Sequence, residues 1–195
     1  MVIILAINYS YIKFNKVKTN SIKQGYKNRG MLLENDINLS NEYYRLKDIA
    51  YIYKKPTPIK LVKVDYTKNK IEEGYFLTPS TTDYNGIYKG KYIDFEAKET
   101  NSKTSFSLSN IHEHQIKHLN DVFRHGAISF LIVRFNLLDI TFYLSIKDLQ
   151  NFINTSKRKS IPLSFFKEYG KIIDMKYEPR IDYLKIIDDI YFGGN

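Results

Sequence analysis

Residues 80–100 read STTDYNGIYKGKYIDFEAKET, and the reading of this stretch decides the fold. It holds Asp83 and, thirteen positions on, the triplet Glu96-Ala97-Lys98. With period two, its second half is a strand with two unlike faces: Ile93, Phe95 and Ala97 point into a core, and Asp94, Glu96 and Lys98 point the other way. A carboxylate and an ammonium at neighbouring same-face positions are costly unless they pair, bind a metal or do chemistry. Lys89-Gly90-Lys91 reads as a hairpin turn, with Gly90 free to take positive φ. Such a hairpin brings Asp83 toward Glu96. Two carboxylates converging beside a lysine suit a hard divalent cation and a phosphate ester. Asp94 shares the face of Glu96 but sits nearer the turn, so it ranks below Glu96 as a ligand.

A chain of 195 residues is expected to form one domain with a substantial core. Its 30 Lys and Arg outnumber 21 Asp and Glu, giving a net charge of +9, and 17 Tyr and 12 Phe are interleaved with that charge. This balance favours phosphate backbones over acidic proteins as partners. A lysine-rich solvated surface and a biased genome composition account for the same numbers. With no cysteine, disulfides and thiolate metal sites are excluded, as fits a cytoplasmic protein. The opening MVIILAIN is too short to span a bilayer and lacks a basic leader and a small-residue cleavage site. No membrane association is expected.

Working outward, residues 2–14 read as a strand or an ordered arm, and the basic stretch 16–29 as a loop lying on phosphates or a plain solvated linker. Residues 31–47 read as a helix with Leu33, Ile37 and Tyr44 on one stripe and Leu46 beside it. Glu34 falls in its first turn, where the helix dipole favours a carboxylate and where the edge of a metal site is the functional alternative. A short strand over 49–53 stops at Pro56-Thr57-Pro58. Two extended runs around a charged tip, over about 59–77, suggest a projecting hairpin made positive by Lys60, Lys63, Lys68 and Lys70.

Beyond the central hairpin, Ser109-Asn110 is expected to start a helix, with Asn110 and Glu113 as a capping pair, Ile116, Leu119 and Phe123 inward and Gly126 ending it. Gln115 lies one position off that stripe, facing the sheet edge. His112, His114 and His118 lack the spacing of a zinc protease helix and read as a solvated basic face. Residues 127–135 are nearly continuous apolar residues, a strand buried on both sides, and 140–144 return as its neighbour. Ser145 and Asp148 form a capping box for a helix over 146–153. Lys157-Arg158-Lys159 is the densest basic cluster, a solvated loop or a phosphate contact. Pro179 is expected to open a last helix with Leu184, Ile187 and Tyr191 inward. The pattern is an α/β protein with a mixed sheet flanked by helices.

On spacing alone the Glu96–Lys98 pair is better read as an ion pair on a strand surface. Its context changes that. An Asp in an extended segment, Glu-x-Lys on a strand with an apolar reverse face, and a following helix resemble the PD-(D/E)xK nucleases of the restriction-endonuclease-like fold. The segments NRGMLLENDINLSNEYY, KKPTPI, PSTTDYNGIYKGKYIDFEAKET, KTSFSLSNIHEHQIKHL, RKSIP and EPRIDYLKIIDDIYF closely resemble the RecU-type Holliday junction resolvases, in the family's order from about Asn28 onward.

That resemblance implies a metal site of Thr81, Asp83, Glu96 and Gln115, with Asp83, Glu96 and Lys98 catalytic and Glu34 tuning the site from the first helix. It implies Mg²⁺, with Mn²⁺ as a substitute, a homodimer, and symmetric cutting of four-way junction DNA in recombination and repair. The hairpin over 59–77 corresponds to the family's stalk, which enters the junction centre. Arg29, the stalk lysines and Lys157, Arg158 and Lys159 are the candidate DNA contacts. Recombinase and branch-migration proteins are implied as further partners. Residues before about Lys23 depart from the family's usual leader, leaving 1–27 as a divergent arm. Two other readings stay open on the residues: a non-catalytic junction-binding or recombinase-regulating protein on the same scaffold, and a nuclease acting on ordinary duplex or flap DNA.

Overall fold

The computed structural model describes residues 31–56, 58–76 and 81–193. The expected arm over 2–14, the basic stretch 16–29 with Arg29, and Leu77 at the end of the second stalk run lie outside those residues. In chain order the elements are α1 (Met31–Leu46), β1 (Tyr51–Lys54), β2 (Ile59–Asp65), β3 (Lys70–Phe76), β4 (Tyr84–Tyr88), β5 (Lys91–Thr100) and β6 (Ser105–Ser107). A 3₁₀ turn (Leu108–Asn110) then leads to α2 (Glu113–Arg124), β7 (Ile128–Phe135), β8 (Ile140–Ser145) and α3 (Ile146–Thr155). The chain continues through β9 (Ser160–Pro162), α4 (Leu163–Tyr169), β10 (Lys171–Ile172) and α5 (Tyr183–Tyr191).

The main sheet has the order β1-β4-β5-β7-β8-β10. Among the described residues, only β5 and β7 pair in parallel. Parallel neighbours need a crossover, and α2 supplies it. The apolar run of β7 is buried along its whole length because both faces of the sheet are covered. On one face Ile128, Phe130 and Ile132 join Leu33, Ile37 and Tyr44 of α1 and Tyr183, Leu184 and Ile187 of α5. On the other, Leu131, Val133 and Phe135 join Leu119 of α2 and Ile146, Leu149 and Phe152 of α3. Tyr84, Phe95, Phe130 and Tyr143 carry rings across four adjacent strands at 4.9, 4.7 and 4.6 Å between successive centroids. Arg134, the one charged residue of β7, is paired with Asp36 of α1 at 2.7 Å, as a buried guanidinium must be.

The central hairpin forms as its sequence predicts. Tyr88 pairs with Lys91, and both loop residues take positive φ, Lys89 at 46° and Gly90 at 74°. That is the two-residue turn whose twist matches the strands. Gly86 on β4 answers a different need. A side chain there would overlap the Tyr51 carbonyl oxygen and stand 2.5 Å from the Ile52 Cα of β1. The β2–β3 hairpin makes its own two-stranded ladder, separate from the main sheet. Its Ile59, Leu61, Val62, Ile71 and Tyr75 stay exposed, as on a projecting hairpin.

Several boundaries differ from expectation. α2 starts at Glu113, not at Asn110: Asn110 belongs to the 3₁₀ turn, and His112 N–H is capped by Gln115 Oε1 at 3.0 Å. α5 starts at Tyr183 rather than Pro179, because the stretch before it is pinned extended on α1, with Ile181 N–H donating to Ser40 Oγ at 2.8 Å. Tyr191, expected inward, is 36% exposed at the last turn of that helix. β1 runs from Tyr51 to Lys54 because a turn through Asp48, at φ 54°, takes up Ile49. Leu46 is 73% exposed, since α1 runs past the core there. α3 extends to Thr155, with Ser145 Oγ accepting from Asp148 N–H at 3.1 Å.

Candidate active site

On β7 the α2 side of the sheet is apolar apart from Ser129, but one strand over it turns acidic. Glu96 lies opposite Leu131 and Asp94 opposite Ser129 in the parallel ladder. Both carboxylates are fully buried, so the second face of β5 is covered rather than surface. A buried carboxylate must be bonded at both oxygens or matched by positive charge.

Glu96 has both. Its Oε2 accepts from Asp83 N–H at 3.0 Å, and its Oε1 accepts from Gln115 Nε2 at 2.7 Å and pairs with Lys98 Nζ at 2.5 Å. The Asp83 carboxylate reaches back, its Oδ2 accepting from Ala97 N–H at 3.1 Å. Asp83, Glu96, Lys98 and Gln115 therefore meet at the point where β4 parts from β5. Burial first, and then the charge of Asp83, push the Glu96 carboxyl from 4.5 up to about 7, against the pull of Lys98. The Asp83 charge disfavours ionised Glu96, and a cation between the two removes that penalty. Lys98 is 23% exposed at its side chain, so the site opens to solvent at the lysine.

The other expected members lie at the rim. Glu34 pairs with Lys54 and lines, with Lys98, Glu99, Asn101 and Asn136, a cavity of about 260 Å³ beside the site. Glu34 lies in the first turn of α1, as expected, and Glu99 of β5 reaches the same helix start, its Oε1 accepting from Leu33 N–H at 2.6 Å. Thr81 is exposed, and its Oγ1 accepts from Lys55 Nζ at 3.2 Å. Gln115 offers its amide nitrogen to Glu96 because its oxygen is used at the helix start.

Asp94 is kept out of the site by its own partners. Lys55 Nζ, Tyr92 OH and His118 Nε2 converge on its Oδ2 at 2.8, 3.0 and 3.1 Å, and Thr82 Oγ1 donates to its Oδ1. His118 thus belongs to a buried polar group and not to a solvated face. His112 and His114 stack at 5.4 Å. Lys55 has no role in the sequence reading, although it falls in the segment KKPTPI beside the turn before the stalk.

The candidate nucleic-acid contacts divide by pairing. Lys157, Arg158 and Lys159 are exposed and, among the described residues, make no ion pair. The stalk is less positive than its lysines suggest. Lys63 pairs with Glu72 at 2.5 Å and Lys68 with Asp65 at 3.1 Å, leaving Lys60 and Lys70 unpaired among the described residues.

The donor chemistry of the centre fits a hard divalent cation of the Mg²⁺ kind, which takes one or two carboxylates and completes its shell with water and phosphate oxygens. Among the described residues no group of three or more His, Asp or Glu makes the closed cage a zinc ion prefers.

The sheet thus sets Asp83, Glu96 and Lys98 together where the antiparallel β4–β5 pair meets the parallel β5–β7 crossover. Residues 28–189 match the family model described as RecU: Recombination protein U. Proteins named Holliday junction resolvase RecU are similar over nearly the same span. That of Geobacillus kaustophilus (strain HTA426) is 52% identical over 173 residues, 86% of each chain. That of Bacillus cereus (strain AH820) is 50% identical over 182 residues, 90% of this chain and 91% of the other. The chain belongs to the RecU family. A solved Holliday junction resolvase of Archaeoglobus fulgidus, Hjc, overlays 73% of this chain and 95% of its own at a TM-score of 0.45 and 13% identity, too distant to carry an argument.

Proposed function

We propose that this chain is an endonuclease that resolves four-way DNA junctions in recombination, by hydrolysing phosphodiester bonds at the Asp83–Glu96–Lys98 site with Mg²⁺. The observation that carries the reading is the convergence of those three side chains at one end of the sheet, with Glu96 buried and its carboxyl raised. Asp83 and Glu96 supply the negative oxygens that hold the cation, and Gln115 keeps the Glu96 carboxylate in register by donating to it. When bound, Mg²⁺ supplies charge that polarises the scissile phosphate and acidifies the attacking water. Lys98, at the open side, offers ammonium protons to the water and to the charge growing on the phosphoryl oxygens. Lys157, Arg158 and Lys159, exposed and without an ion pair among the described residues, would meet the backbone by charge. Symmetric nicking calls for two sites related by a two-fold axis, which a homodimer provides.

The test is cleavage of a synthetic mobile junction by wild type and by Asp83→Asn, in Mg²⁺ and in EDTA, with circular dichroism on both. Symmetric nicks that require Mg²⁺ and Asp83, with junction binding kept in the variant, are expected. Binding without nicks under any divalent metal would move the protein to a junction-binding or recombinase-regulating role. Suppression of junction cutting by a modest excess of linear duplex would overturn the structural preference. A single monomer species by light scattering would overturn the dimer.

A further inference from the structure

We propose that Lys55 is a positioning residue for Asp83, acting by tying both ends of the β2–β3 hairpin to the buried Asp94 carboxylate. The inference rests on the reading of Asp83 as a metal ligand and goes beyond it in naming what aims that ligand.

Residues 81–83, between the hairpin and β4, have no helix or strand of their own. Lys55 holds them in two ways. Its backbone N–H donates to the Asp83 carbonyl at 2.7 Å, continuing the β1–β4 ladder past its last pair, Lys54 with Tyr84. Its ammonium donates to Thr81 Oγ1 at 3.2 Å, to Thr82 Oγ1, and to Asp94 Oδ2 at 2.8 Å. An ammonium has three protons to give, and each has an acceptor here. Lys55 stands just before Pro56 and the first hairpin strand, while Thr81 and Thr82 lie on the far side of the second. One charged group therefore ties the segment that precedes the projection to residues 81 and 82 that follow it, and Asp83 is the next residue.

The anchor is sound because Asp94 is fully committed. It is 0% exposed, the Lys55 side chain is 13% exposed, and Tyr92, His118 and Thr82 supply its other bonds. A buried ion pair holds its geometry when every polar atom is bonded, and loses it when one partner is removed. Without the ammonium, Thr81 loses that donor and the buried Asp94 carboxylate, to which Thr82 is bonded, loses its paired lysine, while Asp83 keeps its own bonds to Glu96, Ala97 and the Lys55 backbone. Ligand sets must stay within about half an ångström of their working geometry to retain function. Lys55 needs no contact with metal or substrate to matter in this way.

The experiment is Mn²⁺ binding to the free, full-length protein, followed by electron paramagnetic resonance and calorimetry, for wild type, Lys55→Met and the double variant Lys55→Met/Asp94→Asn. The double variant removes both charges together, so that no unpaired carboxylate is left buried if the single variant fails to fold. About a tenfold loss of Mn²⁺ affinity is expected in each folded variant. The Mg²⁺ concentration for half-maximal junction cutting should rise in parallel, with the rate at saturating Mg²⁺ largely recovered and junction binding in EDTA unchanged. Unchanged Mn²⁺ affinity in a folded variant overturns the inference. If wild type itself shows no Mn²⁺ site that Asp83→Asn abolishes, the metal-ligand reading fails first. Loss of the saturated rate with intact metal affinity would assign Lys55 to another step and overturn the positioning role.

Discussion

Changing Glu96→Gln should flatten the dependence of stability on pH in the metal-free protein. The folded Glu96 carboxyl titrates at about 7 instead of 4.5, because it is buried and faces Asp83. In the unfolded chain neither cause operates. Between those two values the folded protein binds a proton that the unfolded chain releases, so stability is greatest at the acid end and falls as pH rises through about 7. At about 1.4 kcal/mol for each pH unit between the two values, the full loss is about 3 kcal/mol. Glutamine resembles the protonated acid and has nothing to titrate. Urea unfolding in EDTA, from about pH 5 to about pH 8, should show wild type losing about 2.5 kcal/mol more than Glu96→Gln, with titrations remote from the site cancelling in the difference. Asp83→Asn removes the second cause but not burial, so its slope should shrink and not vanish. Divalent metal should act in the opposite sense. It requires the ionised acid, so its apparent affinity should fall about tenfold per unit as pH drops below 7. Identical slopes for wild type and Glu96→Gln would refute the claim that this carboxyl is held protonated by its surroundings.

Three further outcomes follow from the geometry. Lys98→Met should lower the cleavage rate at saturating Mg²⁺ by about 100-fold or more while leaving junction binding in EDTA nearly unchanged; a small effect would show that the ammonium only balances Glu96 in the resting protein. Gly86→Ala drives a methyl into the β1 backbone and should cost about 3 kcal/mol or more, read as a fall in melting temperature, and a near-normal melt would mean that β1 moves aside freely. Replacing residues 59–76 by a short Gly-Ser link should leave far-UV dichroism of the body and cooperative melting intact, because the hairpin shares no ladder with the main sheet. The same change should abolish preference for junction over duplex, and retained preference would remove the stalk from recognition.

Much of this molecule is legible in its chain because the relevant forces are local. The alternation from Ile93 to Lys98 assigns each side chain to a face, since a strand repeats every two residues. Lys89-Gly90 sets a tight hairpin through backbone sterics alone, and the apolar run 127–135 can only be a strand covered on both sides. Ser145 and Asp148 begin a helix by satisfying its first amides. Helix starts at Asn110 and Pro179 were misplaced because they compete with distant partners. Gln115 caps α2 while bonding Glu96, and Ile181 is held extended by Ser40 of α1.

Periodicity places Asp94 and Glu96 on one face, and nearness to the turn ranks Asp94 lower. The folded chain supplies the physical reason. Lys55, Tyr92, Thr82 and His118, drawn from as far as 39 positions away, spend the Asp94 carboxylate on structure. Glu96 is left with Asp83 and a raised carboxyl, because burial and charge depend on what tertiary packing puts beside a side chain and not on its position along the strand. The stalk makes the same point, since its lysines are visible in the chain but their neutralisation by Glu72 and Asp65 depends on the register and on the turn. The sequence by itself determined the strands, the turn and the kinds of side chain at the site; the tertiary structure decided which acid is free to act.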